Sequence, residues 1–206
     1  MSEQLYKVFI PSVKGLRKLV PYNADFYSNI FKDYAINKSE GYESIYLYEQ
    51  KHFDKLKTSK SLAGIKDVKT DKVVFDFDSK DDVENALKDT RVLINRLLAT
   101  GFSENELGCH YSGNKGFHVE VSLNELLTRE QFEAITESYA GDLQTFDTSV
   151  SDEQRVFRLP LSFNPKSNKY KIPLTVDELL DPETKVSGIA EYAQSPDFKE
   201  RTQLLL

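Results

Sequence analysis

The feature that most constrains this chain is the run VVFDFDS at residues 73–79. Valine and phenylalanine suit a strand that is covered on both faces, whereas aspartate is depleted from strand interiors. Because successive side chains of a strand point to opposite faces, Asp76 and Asp78 should share one face, about 7 Å apart along the backbone. The run therefore predicts a buried central strand that ends in two carboxylates on one face.

Two interpretations of this carboxylate pair are open from the motif alone. Two adjacent carboxylates repel each other and lose hydration, and a bound Mg²⁺ or Mn²⁺ would offset both costs. Alternatively, the pair marks a strand end at which Asp78 or Ser79 caps the helix that follows.

The composition fits a soluble globular protein. A chain of 206 residues that is 39% hydrophobic can bury a real core. Its single cysteine, Cys109, excludes an internal disulfide and a multi-cysteine zinc site, so a bound metal should have oxygen ligands. No apolar run approaches the roughly 20 residues of a membrane span, and the N-terminus lacks a signal-peptide pattern, so we expect a cytoplasmic protein.

Charge is distributed unevenly along the chain. The net charge of −6 is weak evidence against a nucleic-acid partner. Residues 51–72, however, carry seven lysines against three acids, whereas residues 120–153 carry nine acids against one arginine. The lysine-rich stretch is either a solvated loop or a surface that follows a nucleic-acid backbone.

The hydrophobic pattern predicts a mixture of strands and helices. Residues 81–99 have helical spacing with Gly101 as the stop signal, and residues 107–111 and 117–123 form a hairpin around the turn SGNKG. The remaining predicted elements are strands at Leu5–Ile10, Ser44–Gln50, RVFRLPL and KYKIPL, helices at Asn23–Tyr34 and 128–140, and a short acidic helix with a polar tail over the last 30 residues.

The hairpin turn carries groups that suit a phosphate. In SGNKGFH the glycines permit a bend with free amides, Ser112 offers a hydroxyl, and Lys115 and His118 offer donors. The alternative is an ordinary turn followed by a histidine that is hydrogen bonded within the strand. His118 and Glu120 should lie opposite the core-facing side chains of their strand.

A second polar cluster lies in RLPLSFNPK. Arg158, Ser162 and Lys166 recur at intervals of four, but two prolines interrupt the segment, so helical spacing does not explain the pattern. A guanidinium, a hydroxyl and an ammonium together suit a triphosphate tail. The alternative is a set of surface cations beside a hairpin.

In this order, the segments resemble the motifs of the archaeo-eukaryotic primase superfamily over about residues 70–175. Asp76 and Asp78 match the two metal-binding aspartates of its first motif. Ser112 and His118, in SGNKGFHV, match the nucleotide-contacting serine and histidine of its second motif. Asp147, in the pair FD, resembles the metal-binding aspartate of the third motif, although Asp142 and Asp152 lie nearby in the sequence.

RLPLSFNPK is similar to a further arginine, serine and lysine run of that superfamily. The resemblance implies phosphate contacts for Arg158, Ser162 and Lys166, and Lys115 would join them from the turn. Asn164 departs from the pattern, because many members have a histidine there.

The resemblance implies an α+β fold with two lobes, an RNA-recognition-type antiparallel sheet and an active site in the cleft between the lobes. Residues 1–206 would form a single catalytic domain, with N-terminal lobe elements in residues 1–70, a motif-bearing core in residues 71–175, and a C-terminal helix and tail in residues 176–206.

The implied activity is that of a DNA primase or primase-polymerase. Such an enzyme joins NTPs or dNTPs on a single-stranded DNA template by two-metal catalysis with Mg²⁺ or Mn²⁺, in DNA replication or repair. Because the chain is short and has no zinc module, we expect an accessory primase subunit, a helicase or additional domains as partners.

Two other functions remain open from the residues. A metal-dependent nucleotide-sugar glycosyltransferase also uses an Asp-X-Asp pair at a strand end, but it leaves SGNKGFH and the lysine-rich turn without roles. A non-catalytic module that binds single-stranded nucleic acid would retain the fold, yet it would have no reason to keep two carboxylates that repel each other.

Overall fold

A computed structural model describes residues 4–11, 17–22, 38–59 and 62–205. The helix predicted at Asn23–Tyr34 lies outside these residues. The described strands are β1 (Tyr6–Ile10), β2 (Lys18–Pro21), β3 (Tyr42–Tyr48), β4 (Lys69–Asp78), β5 (Leu107–Tyr111), β6 (Gly116–Thr128), β7 (Val156–Arg158), β8 (Phe163–Asn164), β9 (Lys169–Tyr170) and β10 (Ile172–Leu174).

Eight of the described strands form one sheet in the order β10–β5–β6–β4–β3–β1–β2, with β7 also paired to β3. Every pairing of these strands is antiparallel. The predicted α+β class with an antiparallel sheet is therefore confirmed. Strands from residues 1–70 and from the motif-bearing core are hydrogen bonded within this one sheet, because β3 pairs with both β4 and β7.

The predicted central strand, β4, lies between β6 and β3. Phe75 and Phe77 are fully buried on its apolar face. Phe75 contacts the ring of Tyr139 from a covering helix, with ring centroids 6.4 Å apart. The opposite face carries Asp76 and its neighbours, so these side chains point away from the helix that packs on Phe75.

The described helices are α1 (Gln50–Ser59), α2 (Val83–Ala99), α3 (Arg129–Ala140), α4 (Val176–Leu180), α5 (Val186–Tyr192) and α6 (Phe198–Gln203). Helix α2 begins at an Asp82 cap, whose carboxylate accepts a hydrogen bond from the amide of Glu84. Neither Asp78 nor Ser79 is therefore the cap of this helix, and the Asp78 carboxylate has no capping role. After α2 the chain turns at Gly101, whose φ is +105°.

Two sequence predictions differ from the structure in the C-terminal third. The strand predicted for RVFRLPL contains only β7, because Pro160 has no amide hydrogen to donate and Leu161 has a left-handed backbone with φ +60°. The polar tail is instead helical and packed: Arg201 is buried and donates two hydrogen bonds to Glu178, each 2.7 Å long.

Within the described ranges, every helix is too short or too polar to cross a lipid bilayer.

Candidate active site

Strand register brings the first two motifs together. Asp76 is paired with His118 and Asp78 with Gly116 across the β4–β6 ladder. The predicted face alternation is confirmed for both strands, because Asp76 and His118 approach each other on the face opposite Phe75. Residues that are about 40 positions apart in the sequence thus become direct neighbours.

The SGNKG turn is held in place by close backbone packing. A Cβ atom on Gly116 would lie 1.8 Å from the carbonyl oxygen of Phe77, so only glycine fits beside the end of β4. The hydroxyl of Ser112 accepts a hydrogen bond of 3.2 Å from the amide of Gly116. Gly113 has φ +81° and lies against the backbone of Tyr170, which fixes the turn to the C-terminal part of the chain.

The third aspartate reaches the site because the FD segment adds to the end of β4. Phe146 forms an isolated antiparallel bridge with Phe77, and the amide of Asp147 donates a 2.8 Å hydrogen bond to the carbonyl of Asp76. The two neighbouring acids have other partners. Asp142 pairs with Arg96 at 2.6 Å, and the carboxylate of Asp152 accepts a hydrogen bond from the amide of Gln154. Asp147 is thus the member of this group that lies beside Asp76.

Arg155 joins two of the three aspartates, and sequence reasoning missed it. Its Nη2 donates to Oδ2 of Asp76 and to Oδ2 of Asp147, both at 2.7 Å. Its Nη1 donates to the hydroxyl of Ser149 at 3.2 Å. The available signal was an arginine eight positions after Asp147 and two positions after the end of the acidic stretch of residues 120–153.

Burial sets the ionisation of the central carboxylate. Burial and the neighbouring charge of Asp78 raise the pKa of Asp76 to about 6, although Arg155 acts in the opposite direction. Burial also raises the pKa of Asp147, but hydrogen bonds from Ser149 and the charge of Arg155 outweigh it and leave that pKa below its usual value. Burial and the charge of Lys171 hold the pKa of His118 well below its usual range. His118 is therefore neutral at pH 7.

Lys115 and His118 contact the other carboxylate atoms of the site. The ammonium of Lys115 lies 2.5 Å from Oδ2 of Asp78, and Nε2 of His118 lies 3.4 Å from Oδ1 of Asp76. That Oδ1 atom is buried and has no hydrogen-bond partner among the described residues, and neither has Nδ1 of His118. The Asp76 carboxylate therefore keeps one oxygen available for a cation.

These groups surround a pocket of about 170 Å³. Its lining is Asp76, Asp78, Ser112, Asn114, Lys115, His118, Arg155, Val156, Phe157 and Arg158. A second, larger opening of about 520 Å³ shares Asp78 and Lys115 with this pocket and is also lined by Asp147. Each of the three carboxylates therefore lines at least one of the two openings.

Of the three nucleotide contacts predicted in RLPLSFNPK, Arg158 lines the pocket, whereas Ser162 and Lys166 do not. Arg158 lines the pocket, but its guanidinium also donates to the carbonyl of Phe163 and to the hydroxyl of Tyr42. Ser162 is fully buried, and its hydroxyl donates to the carbonyl of Leu159 at 2.7 Å, so its expected phosphate contact is corrected to a structural role. Lys166 is exposed and does not line the pocket.

Part of the charge of the lysine-rich stretch is paired with acids in the described residues. Lys72 is largely buried and lies 2.6 Å from Glu120, and Lys51 lies 2.5 Å from Asp67. Lys55 and Lys57, on α1, and Lys69, at the start of β4, remain exposed. A nucleic-acid contact by this stretch would therefore use only part of its charge.

A separate group of two acids and a histidine has ligand atoms close enough together to hold a metal ion. Ligand atoms of Glu49, His52 and Asp67 lie within 4.8 Å of one another. However, Nδ1 of His52 accepts a hydrogen bond from the amide of Glu49, and Nε2 lies 3.0 Å from Asp67, while Lys51 contacts both acids. The existing hydrogen bonds and the lysine satisfy these groups, so this cluster fits a structural role better than a metal.

Comparison with solved structures shows that the chain shares its fold with a known polymerase domain, and this confirms the fold class that the sequence resemblance predicted. In particular, the chain is similar to the polymerase domain of Ligase D from Mycobacterium tuberculosis, solved in complex with DNA, with a TM-score of 0.54 and 17% identity over 96% of this chain and 74% of that chain. A primase-polymerase domain from cyanophage S-2L matches with a TM-score of 0.47 and 12% identity over 93% of this chain and 89% of that chain. No protein-family model and no curated protein matches the sequence.

Proposed function

We propose that this protein is a template-dependent nucleotidyltransferase of the primase-polymerase type, which joins NTPs or dNTPs on single-stranded DNA in replication or repair. The observation that carries the proposal is that Asp76 and Asp147 share one cation, Arg155, beside a pocket lined by Ser112 and Lys115. Carboxylates that converge on positive charge, next to donors that suit phosphate, are what nucleotidyl transfer requires. The similarity to a polymerase domain solved with DNA supports DNA as the template.

The carboxylates fit a divalent cation. Asp76 has a buried oxygen without a hydrogen-bond partner, and a guanidinium already lies between Asp76 and Asp147. Mg²⁺ and Mn²⁺ prefer carboxylate oxygens, and Asp76, Asp78 and Asp147 would hold them. When bound, such ions lower the pKa of an attacking 3′-hydroxyl and neutralise the triphosphate.

The remaining groups of the pocket would bind and orient the triphosphate. Lys115, at the turn, supplies a mobile ammonium, and the hydroxyl of Ser112 and neutral His118 supply hydrogen bonds. Arg158 supplies a guanidinium whose plane packs on the ring of Tyr42, 4.7 Å from the ring centroid. That stacking limits the rotamers of the guanidinium and so orients its donors.

The template strand would follow the exposed lysines of α1 and the start of β4. Because the chain has a net charge of −6, this binding should be weak and strongly dependent on salt. An accessory subunit, a helicase or further domains would supply the additional affinity that processive synthesis needs.

The test is nucleotide incorporation on primed and unprimed single-stranded DNA with Mg²⁺ or Mn²⁺. Asp76→Ala and Asp147→Ala should each lower incorporation at least about a hundredfold, the scale seen when one electrostatic stabiliser is lost. The matched control is Asp142→Ala, which removes the same group from an exposed pair with Arg96 and should leave the rate within about twofold. Full activity of the Asp76→Ala and Asp147→Ala variants would contradict the proposed role of the carboxylates.

A binding panel separates this function from the two alternatives. Metal-dependent binding of a UDP-sugar in preference to ATP and dATP would favour a glycosyltransferase. Binding of single-stranded DNA without any metal-dependent turnover would favour a non-catalytic module.

A further inference from the structure

Two positively charged side chains of the site, Arg155 and Lys115, contact its carboxylates. Arg155 donates from one nitrogen to both Asp76 and Asp147, and Lys115 lies against Asp78. Each of the three acids that would hold metal ions thus has a protein cation in contact with it. Two protein cations therefore compensate the carboxylates where two metal ions would otherwise do so.

Burial makes this compensation necessary. The Asp76 side chain is 5% exposed, and removing a carboxylate from water without a counter-charge is costly. A metal ion at Oδ1 of Asp76 would share that carboxylate with the Arg155 guanidinium, which is bound at Oδ2, so the two positive charges would repel each other strongly. Binding of one must therefore weaken binding of the other.

Arg155 also borders the pocket in which a triphosphate would bind. Its side chain lines the same pocket as Ser112, Lys115 and Arg158, and it is 29% exposed, so it can turn away from the carboxylates without leaving the site. A triphosphate in this pocket would offer the oxygens that the guanidinium loses.

We infer that Arg155 is an exchangeable counter-ion: it stabilises the Asp76–Asp147 pair in the metal-free protein and moves to the triphosphate when metal ions replace it. Lys115 has the same role at Asp78. Metal ions and triphosphate therefore bind cooperatively. The metal ions release Arg155 from the carboxylates, and the triphosphate binds the released guanidinium. This inference rests on the proposed function for the identity of the anion, but the exchange at the carboxylates is a property of the protein and its metal alone.

The first experiment measures Mn²⁺ binding to the full chain without nucleotide. Arg155→Gln removes the competing cation, so Mn²⁺ should bind at least about tenfold more tightly than it binds the wild type, a difference of about 1.4 kcal/mol. The variant should also melt at a lower temperature than the wild type without metal and recover on addition of Mn²⁺. The matched control is Arg96→Gln, which breaks a similar arginine–aspartate pair at Asp142 and should show no Mn²⁺-dependent recovery. Unchanged or weaker Mn²⁺ binding by Arg155→Gln would overturn the inference.

The second experiment measures binding of inorganic tripolyphosphate without metal. Its main variants keep Arg155, so it remains informative if Arg155→Gln alone fails to fold. Asp147→Asn releases one bond of Arg155 and should tighten tripolyphosphate binding at least fivefold, about 1 kcal/mol. Asp142→Asn removes the same charge elsewhere and should change binding less than twofold. The gain should disappear in the Asp147→Asn, Arg155→Gln double variant, and a gain that persists there would contradict the exchange.

The incorporation assay separates this inference from the proposed function. If the wild type fails to incorporate nucleotides while Mn²⁺ rescues Arg155→Gln, the counter-ion exchange stands and the proposed function falls. If the wild type incorporates nucleotides but Arg155→Gln binds Mn²⁺ no more tightly, the inference falls and the proposed function stands.

Discussion

At the scale of the residue, the site depends on glycines as much as on charges. Gly116 brings the SGNKG turn against the end of β4, because its missing Cβ is what allows the Phe77 carbonyl to approach. The SGNKG turn then places Lys115 beside Asp78. A glycine with no chemistry of its own thus decides where a charged side chain lies.

Gly116→Ala should therefore damage both stability and activity. The added methyl would lie 1.8 Å from the carbonyl oxygen of Phe77 and 2.6 Å from Oδ1 of Asp78, and we expect a loss of about 1–3 kcal/mol in the free energy of unfolding. Urea denaturation measures the loss. Gly188→Ala is the control, since its Cβ would meet nothing within 4 Å in α5, and there we expect a gain of about 0.5–1 kcal/mol. Equal effects at the two glycines would show that the close approach is not what matters.

Residue-level reasoning succeeded for side chains whose position follows from strand alternation and failed for those whose position depends on a loop. Asp76, Asp78 and His118 share a face because their strands have period two. Ser162 is buried and Lys166 lies outside the pocket. Both follow Leu161, whose left-handed backbone no spacing rule predicts for leucine.

At the scale of the element, the strands that carry the site are also joined by buried charges. Glu120 on β6 lies 2.6 Å from Lys72 on β4 and 3.3 Å from Lys171, the residue just before β10. Nδ1 of His110 on β5 is 3.9 Å from the same carboxylate. One acid therefore links the central part of the sheet with the edge that carries the C-terminal segment.

Glu120→Gln should be strongly destabilising, because it leaves two buried ammonium groups with less counter-charge. We expect a loss of about 3–5 kcal/mol in the free energy of unfolding, measured by urea denaturation at pH 7. Glu125→Gln is the matched control, since Glu125 is exposed on the same strand and should give little change. A loss below about 1 kcal/mol for Glu120→Gln would contradict a stabilising role for the network.

The same carboxylate predicts a pH dependence. Burial alone would raise the pKa of Glu120, but Lys72 and Lys171 outweigh burial and hold it well below its usual value. Its stabilising contribution is then complete above the unfolded pKa of about 4.3 and is lost as the pH falls toward the folded pKa. The difference in stability between wild type and Glu120→Gln should therefore shrink on acidification below about pH 4.

At the scale of the whole molecule, one sheet connects the first and last parts of the chain. Strand β3 pairs with β1, β4 and β7, and β10 brings the C-terminal segment to the opposite edge. Arg201 then ties α6 to α4 and to the carbonyl of Pro173. We therefore expect residues 1–206 to behave as a single domain.

This expectation predicts one cooperative unfolding transition. Far-ultraviolet circular dichroism and tyrosine fluorescence should give the same midpoint in urea, and tyrosine is the useful probe because the chain has 11 tyrosines and no tryptophan. Two separated midpoints would show that the N-terminal strands unfold independently of the motif-bearing core.

The sequence by itself determined the elements and the face on which the first carboxylates lie. Hydrophobic periodicity and turn residues predicted β4, α2 and the hairpin, since these depend on local sterics and on burial of one face. Their ordered motifs also indicated the fold class, which the structural comparison confirmed.

Only the tertiary structure decided how the charges of the site are paired. Arg155 lies between Asp76 and Asp147, Lys72 is buried against Glu120, and Ser162 points into the core. Each of these positions depends on contacts between segments far apart in the chain, and a one-dimensional pattern does not encode which opposite charges meet. The physical reason is that a buried charge is costly without an opposite charge in contact with it, and which charges are buried depends on how the sheet packs.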